Sequence, residues 1–375
     1  MKIAIDVNRL YTAQTGVSVY VRQLSEHLLQ QPEHEIVRLH QSRPKANAKN
    51  RTGSLNKILK HARHLAWTQA QLPLIARSKN CRVLLCPEVA SPIIPVPGLR
   101  TVATVHDMVV RLYPEGFDHR WRSLYHLFDE NSLRFAHRII CDSASTRQDL
   151  LRLLPHLSPE KVRVVHLAAG SHFRPLAPDV AFREGLQQQF GLEYQQYLLF
   201  VGARNVRKNL PNLIKAFARI AQSYPALRLV LAGPSGGAKA ADATPAIEAA
   251  IREQHLTNRV LIAENLSDED LVRLYNGAAA FGFVSRYEGF GMPPLEAMAC
   301  GTPVICTCNS SLPEVVGEAA LYVEDPDNLA EIASRLETLL ENPALAAELR
   351  QKGFAQAAKF PWQKTARETL AILLE

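Results

Sequence analysis

No apolar run in this 375-residue chain approaches the roughly 20 consecutive residues of a membrane-spanning helix. The opening MKIAIDV is too short for a signal peptide and is broken by Asp6, so it reads as a first strand. The six cysteines (Cys81, Cys86, Cys141, Cys300, Cys306 and Cys308) contain no CxxC pair at metal spacing. Most lie in apolar runs, which points to reduced cytosolic thiols and away from a disulfide framework. GxxxxGK[ST] and HExxH are both missing, and GFGMPP lacks the third glycine of a dinucleotide fingerprint. SDED at Ser267–Asp270 has the acid-x-acid look of a metal-dependent sugar transferase. A serine followed three residues later by an acid, just before LVRLY, is instead a helix cap.

Acidic residues are absent from one long stretch. Between Ile36 and Pro87 there is no Asp or Glu but there are eleven Lys and Arg, in a chain of net charge +7. Leu55, Ile58, Leu59, Ala62, Leu65 and Ala66 mark one helical face there, with Lys57, Lys60 and Arg63 around it. A basic amphipathic helix of this kind suits an anionic membrane surface, with Lys49, Arg51, Lys57, Lys60 and Arg63 as the docking residues. The alternative is a solvated basic loop and helix. Nucleic acid is not expected as a partner, because no recognised binding fold accompanies the charge.

Strand-like runs alternate with helical patterns along the whole chain, which implies parallel sheets, and the length suggests two domains. IAIDV, HEIVRLH, RVLLC, RTVATVH, RIICD and VRVVH read as strands of a first domain over residues 1–178. Helices fall at Val17–Leu29, Ser54–Ala76, His119–Phe135 and Ser145–Leu154. Ala168–Asp179, with a glycine and two prolines, reads as a link. YLLFVG, LRLVLAG, RVLIAE, AAFGFVS and PVICT then begin a second series over residues 190–360. Ligands of open parallel sheets bind beyond the carboxyl ends of strands, so the loops after IAIDV, TVATVH, YLLFVG and AAFGFVS are expected at one cleft.

The most informative stretch is YEGFGMPPLEAMACGTPV, residues 287–304. It reads as strand, glycine loop, helix, with Gly301 as the stop. Its glycines let backbone approach a ligand, and a helix N-terminus attracts an anion. Glu288 and Glu296 stand on either side. As acceptors they suit hydroxyl groups, so a nucleotide sugar is the economical ligand. An acidic helix start with no ligand is the other reading of the loop. In FVGARNVRKNL, Arg207 and Lys208 sit at a loop-to-helix junction, well placed for a diphosphate. VHDM puts His106 after an apolar strand, and Gly16 lies in the loop after the first strand.

Together with TAQTGVSVYVRQL, TVATVHDMVVRLYPEGF, IICDSASTRQDLL, KVRVVHLAAGSHFRP and SSLPEVVGEAALYV, these motifs resemble the family 4 retaining glycosyltransferases over almost the whole chain. The wording is most similar to the branch that includes bacterial O-antigen mannosyltransferases. The resemblance implies a GT-B fold: two Rossmann-like parallel-sheet domains facing across a cleft, with a C-terminal helix, residues 361–375, crossing back to the first. It gives Glu288 and His106 to the donor sugar as catalytic residues, and Glu296 to the ribose. Gly16, Arg207, Lys208 and the backbone of Gly289, Phe290, Gly291, Met292 and Pro293 go to the rest of the donor. The implied activity moves a hexose, best mannose from a GDP-sugar, to a glycan or lipid-linked acceptor in bacterial surface polysaccharide synthesis. It needs no metal or other cofactor, and it places the protein in the cytoplasm, peripheral on the inner membrane face. A UDP-hexose-dependent transferase of lipopolysaccharide core or exopolysaccharide is the second expectation. A non-catalytic glycan-binding subunit is a third.

Replacing Lys49, Arg51, Lys57, Lys60 and Arg63 with Gln is expected to reduce cosedimentation with anionic vesicles. Wild-type binding should itself weaken as salt shortens the Debye length to about 8 Å. Equal binding to neutral and anionic vesicles would contradict the membrane reading.

Overall fold

The computed structural model describes residues 1–11, 16–41, 62–117, 119–236 and 241–375. Lys49, Arg51, Lys57 and Lys60 therefore lie outside the described residues, as do Leu55, Ile58 and Leu59 of the proposed apolar face. Arg63 is described and exposed. Of the helix expected at Ser54–Ala76, the described part runs from Ala62 to Ser78, through a π-helical turn at Trp67–Gln71.

The chain forms two compact units. One comprises Met1–Met108, Arg120–Leu167 and Trp362–Glu375, and the other Val109–His119 and Ala168–Pro361. The division departs from the sequence boundaries at two points. Residues 168–178 go with the second unit, where the Leu176 N–H donates to Asn276 Oδ1 at 2.7 Å and Asn276 Nδ2 donates to the Arg174 carbonyl at 3.0 Å. Val109–His119 also belongs there, and the Tyr113 hydroxyl donates to the Arg286 carbonyl at 3.2 Å.

The first unit holds strands β1 (Lys2–Asp6), β2 (Glu35–Leu39), β3 (Val83–Cys86), β4 (Arg100–Val105), β5 (Arg138–Cys141) and β6 (Val162–Val164). They pair in the order β2-β1-β3-β4-β5-β6, all parallel. The second unit holds β7 (Tyr197–Val201), β8 (Arg228–Ala232), β9 (Val260–Ala263), β10 (Ala280–Phe283), β11 (Val304–Thr307) and β12 (Ala320–Val323), in the order β12-β11-β10-β7-β8-β9, again all parallel. The last strand was not expected. ALYV is a short run between helices, and it earns strand status by pairing with β11 at the sheet edge.

Central strands are covered on both faces, so they read as continuous apolar runs. Every residue of β3, β7, β10 and β11 is buried. In the first unit Ala4, Leu84, Trp67, Leu72 and Ala76 share one core, and Trp67 Nε1 donates to Asp6 at 3.1 Å. In the second, Phe283 stacks between Phe200 and Phe281, with ring centroids 5.7 Å away in each case. Helix Trp362–Leu374 returns to the first unit and packs on helix Gly16–Leu29. Trp362 stacks on His27, and Thr365 Oγ1 donates to the His166 carbonyl at 2.7 Å.

In each sheet the strand order reverses at one place, between β1 and β3 and between β7 and β10. At such a switch point neighbouring loops leave in opposite directions and open a crevice at the carboxyl ends. The loops after β7 and β10 carry Arg207, Lys208 and Glu288. Among the described residues all six cysteines are unlinked, and only Cys308 is exposed.

Gly301 ends helix Met292–Cys300 at φ +81°, and an added Cβ would lie 2.6 Å from Phe354 Cζ. Gly301→Ala is therefore expected to lower unfolding free energy by about 1–3 kcal/mol, read from denaturant midpoints. An unchanged midpoint would contradict the packing described.

Candidate active site

At the second unit's switch point the chain after β7 runs through a 3-10 turn, Val206–Lys208, into helix Leu210–Ile220. Asn209 makes the junction in the left-handed region, φ +58°, and its Nδ2 donates to the Pro326 carbonyl at 2.6 Å. The turn aims both cations at Glu288. Lys208 Nζ reaches Glu288 Oε1 at 2.6 Å, and Arg207 Nη1 reaches Oε2 at 2.8 Å. Arg207 also donates to the Tyr287 carbonyl at 2.7 Å, and Lys208 Nζ sits 4.6 Å from the centre of the Phe283 ring. Glu288 is 5 % exposed and Lys208 6 %. Burial alone would raise the Glu288 pKa. The charges of Arg207 and Lys208, with hydrogen bonds from Lys208 and Ser285, reverse that and bring it to about 2.

The alternative of a solvated acidic helix start is thus wrong for Glu288. Its carboxylate is desolvated and already holds the two cations assigned to diphosphate. The loop is pinned by residues to which the sequence reading gave no role. Ser310 Oγ accepts from the Glu288 N–H at 2.9 Å, and Ser311 Oγ donates to the carbonyls of Glu288 and Phe290 at 3.0 and 2.7 Å. Thr307 Oγ1 donates to the Ser285 carbonyl at 2.6 Å. The only signal was SSLPEVV as a motif, and nothing in its spacing shows which loop it braces.

Gly291 precedes helix Met292–Cys300 at φ +109°, where a Cβ would come 2.9 Å from Leu312 Cδ2. Pro293 and Pro294 have no N–H, and the Leu295 N–H points to the Gly291 carbonyl at 3.4 Å. The helix start therefore offers an anion fewer donors than an ordinary one, and Met292 is its first helical N–H. Phe290 is turned into the core against Phe360, so only its backbone remains for a ligand. Glu296 lies one turn along, partly buried, and accepts from the Tyr275 hydroxyl at 2.9 Å. Burial raises its pKa to about 7, against the hydrogen bond from Tyr275. Arg204 stands apart from this group: it is buried, pairs with Glu264 and donates to the Gly233 carbonyl at 2.7 Å. Ser267 and Asp270 form a full capping box on helix Asp268–Gly277, the capping role expected of them.

In the first unit, His106 follows β4 and meets Asp142, which follows β5. His106 Nδ1 lies 2.7 Å from Asp142 Oδ2 and Nε2 lies 2.9 Å from the Pro87 carbonyl. Both neighbours are acceptors, so the ring is held with both nitrogens protonated. Burial would lower its pKa, but the charge and hydrogen bond of Asp142 outweigh it and bring it to about 9. Asp142 was not singled out from IICDSAS, where Ser143 caps helix Ala144–Leu153 by accepting from the Thr146 N–H at 3.0 Å. At the same sheet end Arg9 bridges to Glu88, and burial raises the Asp6 pKa to about 6. Gly16 opens helix Gly16–Leu29 and is exposed; residues 12–15 before it lie outside the described residues.

The chain is similar in fold to solved structures over nearly its whole length. Sucrose-phosphate synthase from Thermosynechococcus elongatus matches with a TM-score of 0.78 at 21 % identity, over 99 % of this chain and 98 % of that one. Anabaena HepE in complex with UDP-glucose matches at 0.75 and 17 % identity, over 99 % of each chain. With two parallel six-stranded sheets, this defines the fold as GT-B. Residues 14–168 match the family described as Glycosyltransferase Family 4, and residues 182–356 match Glycosyl transferases group 1. "O-antigen chain mannosyltransferase B" of Escherichia coli is 32 % identical over 276 residues, 72 % of this chain and 69 % of that protein. The chain belongs to this glycosyltransferase family.

Asp142→Asn is expected to lower the His106 pKa, because burial then acts without the opposing carboxylate charge. Imidazole NMR across pH 5–10 reads this directly, and a ring still titrating near 9 in the variant would contradict the pairing. The raised pKa also gives a sign for stability. The contribution is full below about 6.5, the unfolded value, and is lost as pH rises through about 9.

Proposed function

We propose that this protein is a retaining hexosyltransferase that uses a nucleoside diphosphate sugar. It moves mannose or a mannose-like sugar from a GDP-sugar to a glycan or lipid-linked acceptor in bacterial surface polysaccharide synthesis. The observation that carries the reading is the convergence of Arg207 and Lys208 on a buried carboxylate, beside a glycine-opened helix start. Two cations held in a desolvated turn are preorganised for charge that develops on a departing diphosphate. The O-antigen mannosyltransferase relative supports the choice of sugar and acceptor. HepE, solved with UDP-glucose, supports a nucleotide sugar as donor and keeps a UDP-hexose as the second reading.

In this reading Glu288 orients the cations and meets the sugar hydroxyls. A carboxylate neutralised by two cations is a weak nucleophile, which favours same-face transfer without a covalent intermediate on Glu288. Glu296 and Tyr275 receive the ribose. His106, with both ring nitrogens engaged by Asp142 and the Pro87 carbonyl, offers a ligand its charge and has no lone pair with which to take a proton. The backbone N–H groups near Met292 complete the diphosphate cradle, and no metal is required. The protein works at the cytoplasmic face of the membrane, where its basic segment docks.

Lys208→Ala is expected to lower transfer by about 10²-fold or more. Its loop position does not make it harmless to folding, since removing one partner of a buried ion pair costs about 3–5 kcal/mol. Arg207→Gln, at a more open position, provides the folded control. Glu296→Gln should mainly raise the donor KM, whereas Glu288→Gln should mainly lower kcat. Transfer should survive EDTA, because Asp270 is committed to the helix cap. The same kinetic signature for both glutamate variants, or activity lost to chelator and restored by manganese, would refute the assignment.

A further inference from the structure

The amino end of the first sheet holds a second cluster, about six residues of strand and so roughly 20 Å from His106. An open cavity of about 690 Å³ lies there, lined by Arg100, Arg138, Lys161 and Arg163, with His137 and Glu160. Arg100 and Arg138 begin β4 and β5, and Arg163 lies in β6, so the parallel register brings the three guanidinium groups to one edge. The chain itself holds several of these cations in place. Lys161 Nζ donates to the Arg134 carbonyl at 2.6 Å, and Arg163 Nη1 donates to the Glu160 carbonyl at 2.6 Å. Among the described residues one carboxylate answers them: Glu375 pairs with Arg138 at 2.7 Å and with Arg163 at 3.3 Å. Among the described residues Arg100 and Lys161 have no carboxylate within ion-pair reach, and the buried His137 Nε2 has no hydrogen-bond partner.

Four cations around a concavity, with Glu375 shared between two of them, repel each other. Ordinary surfaces avoid this by mixing both signs. Burial and then Arg138 lower the Lys161 pKa, while burial, Arg138 and Arg100 lower that of His137. A dianion would relieve both, since guanidinium groups grip phosphate oxygens in pairs and a cavity of this size is normal for a small-molecule site.

We propose that this cavity binds a phosphate or diphosphate group, with Arg100, Lys161 and Arg163 as its ligands. The site is separate from the candidate active site and needs no activity to be detected. A phosphorylated metabolite and an anionic lipid headgroup carry the same chemistry, so the test has one arm for each. In the first arm, His137 is followed by NMR over a pH series with and without inorganic pyrophosphate. Its titration should move to higher pH, and the double variant Arg100→Gln/Lys161→Gln should bind pyrophosphate at least about tenfold more weakly. Arg100→Gln alone, which breaks no backbone hydrogen bond, should weaken it in the same direction. Arg207 and Lys208 are not among the charges around His137, so the donor-site reading can fail without changing this result. In the second arm, cosedimentation with phosphatidylcholine vesicles is compared with and without phosphatidylglycerol. Binding that needs the anionic lipid and is lost in the double variant assigns the cavity to a headgroup. A pyrophosphate response without vesicle binding assigns it to a soluble ligand. No response in either arm, or an equal response in the double variant, overturns the proposal.

Discussion

A carboxylate shut away from water has to be neutralised, and that requirement organises the second unit. Glu288 meets it with Arg207 and Lys208, which come from a different loop eighty positions earlier. The pairing exists only because β7 and β10 are neighbours in the sheet, although two strands separate them in the chain. It also needs the Glu288 loop to hold one shape, which Ser310, Ser311 and Thr307 impose from the far side. Removing either partner leaves a buried charge unmatched, so the cost of a substitution there falls on folding and chemistry together.

The first unit solves a related problem differently. Its carboxyl end gathers acids, Asp6, Glu88 and Asp142, and balances them with Arg9 and His106. Asp142 and the Pro87 carbonyl both accept from His106, which favours its cationic form and raises its pKa. Its amino end gathers cations around one cavity, with Glu375 paired to two of them. The same parallel register that lines up strand ends for one purpose lines up like charges at the other, where Glu375 offsets Arg138 and Arg163.

Eleven of the twelve strands among the described residues were legible in the sequence, because strands covered on both faces must be apolar along their length. The GT-B architecture and the family were legible too, since several ordered motifs recur over nearly the whole chain. β12 was not, because a four-residue run becomes a strand only through the neighbour it pairs with. Residues 168–178 read as a link by composition, yet Asn276 ties them into the second unit from a hundred positions away.

For the site, the sequence by itself determined which loops hold the candidate residues: a glycine turn, a basic turn and a histidine, each after an apolar run. It could not determine what those side chains face. That Glu288 holds Arg207 and Lys208 in the dark, that Phe290 belongs to the core, that Asp142 sets the charge of His106 and that Arg204 serves Glu264 were decided by tertiary structure. The reason is physical. Periodicity and turn chemistry are local and survive in the one-dimensional string, whereas burial, partner and proton affinity depend on atoms that the chain brings together only by folding.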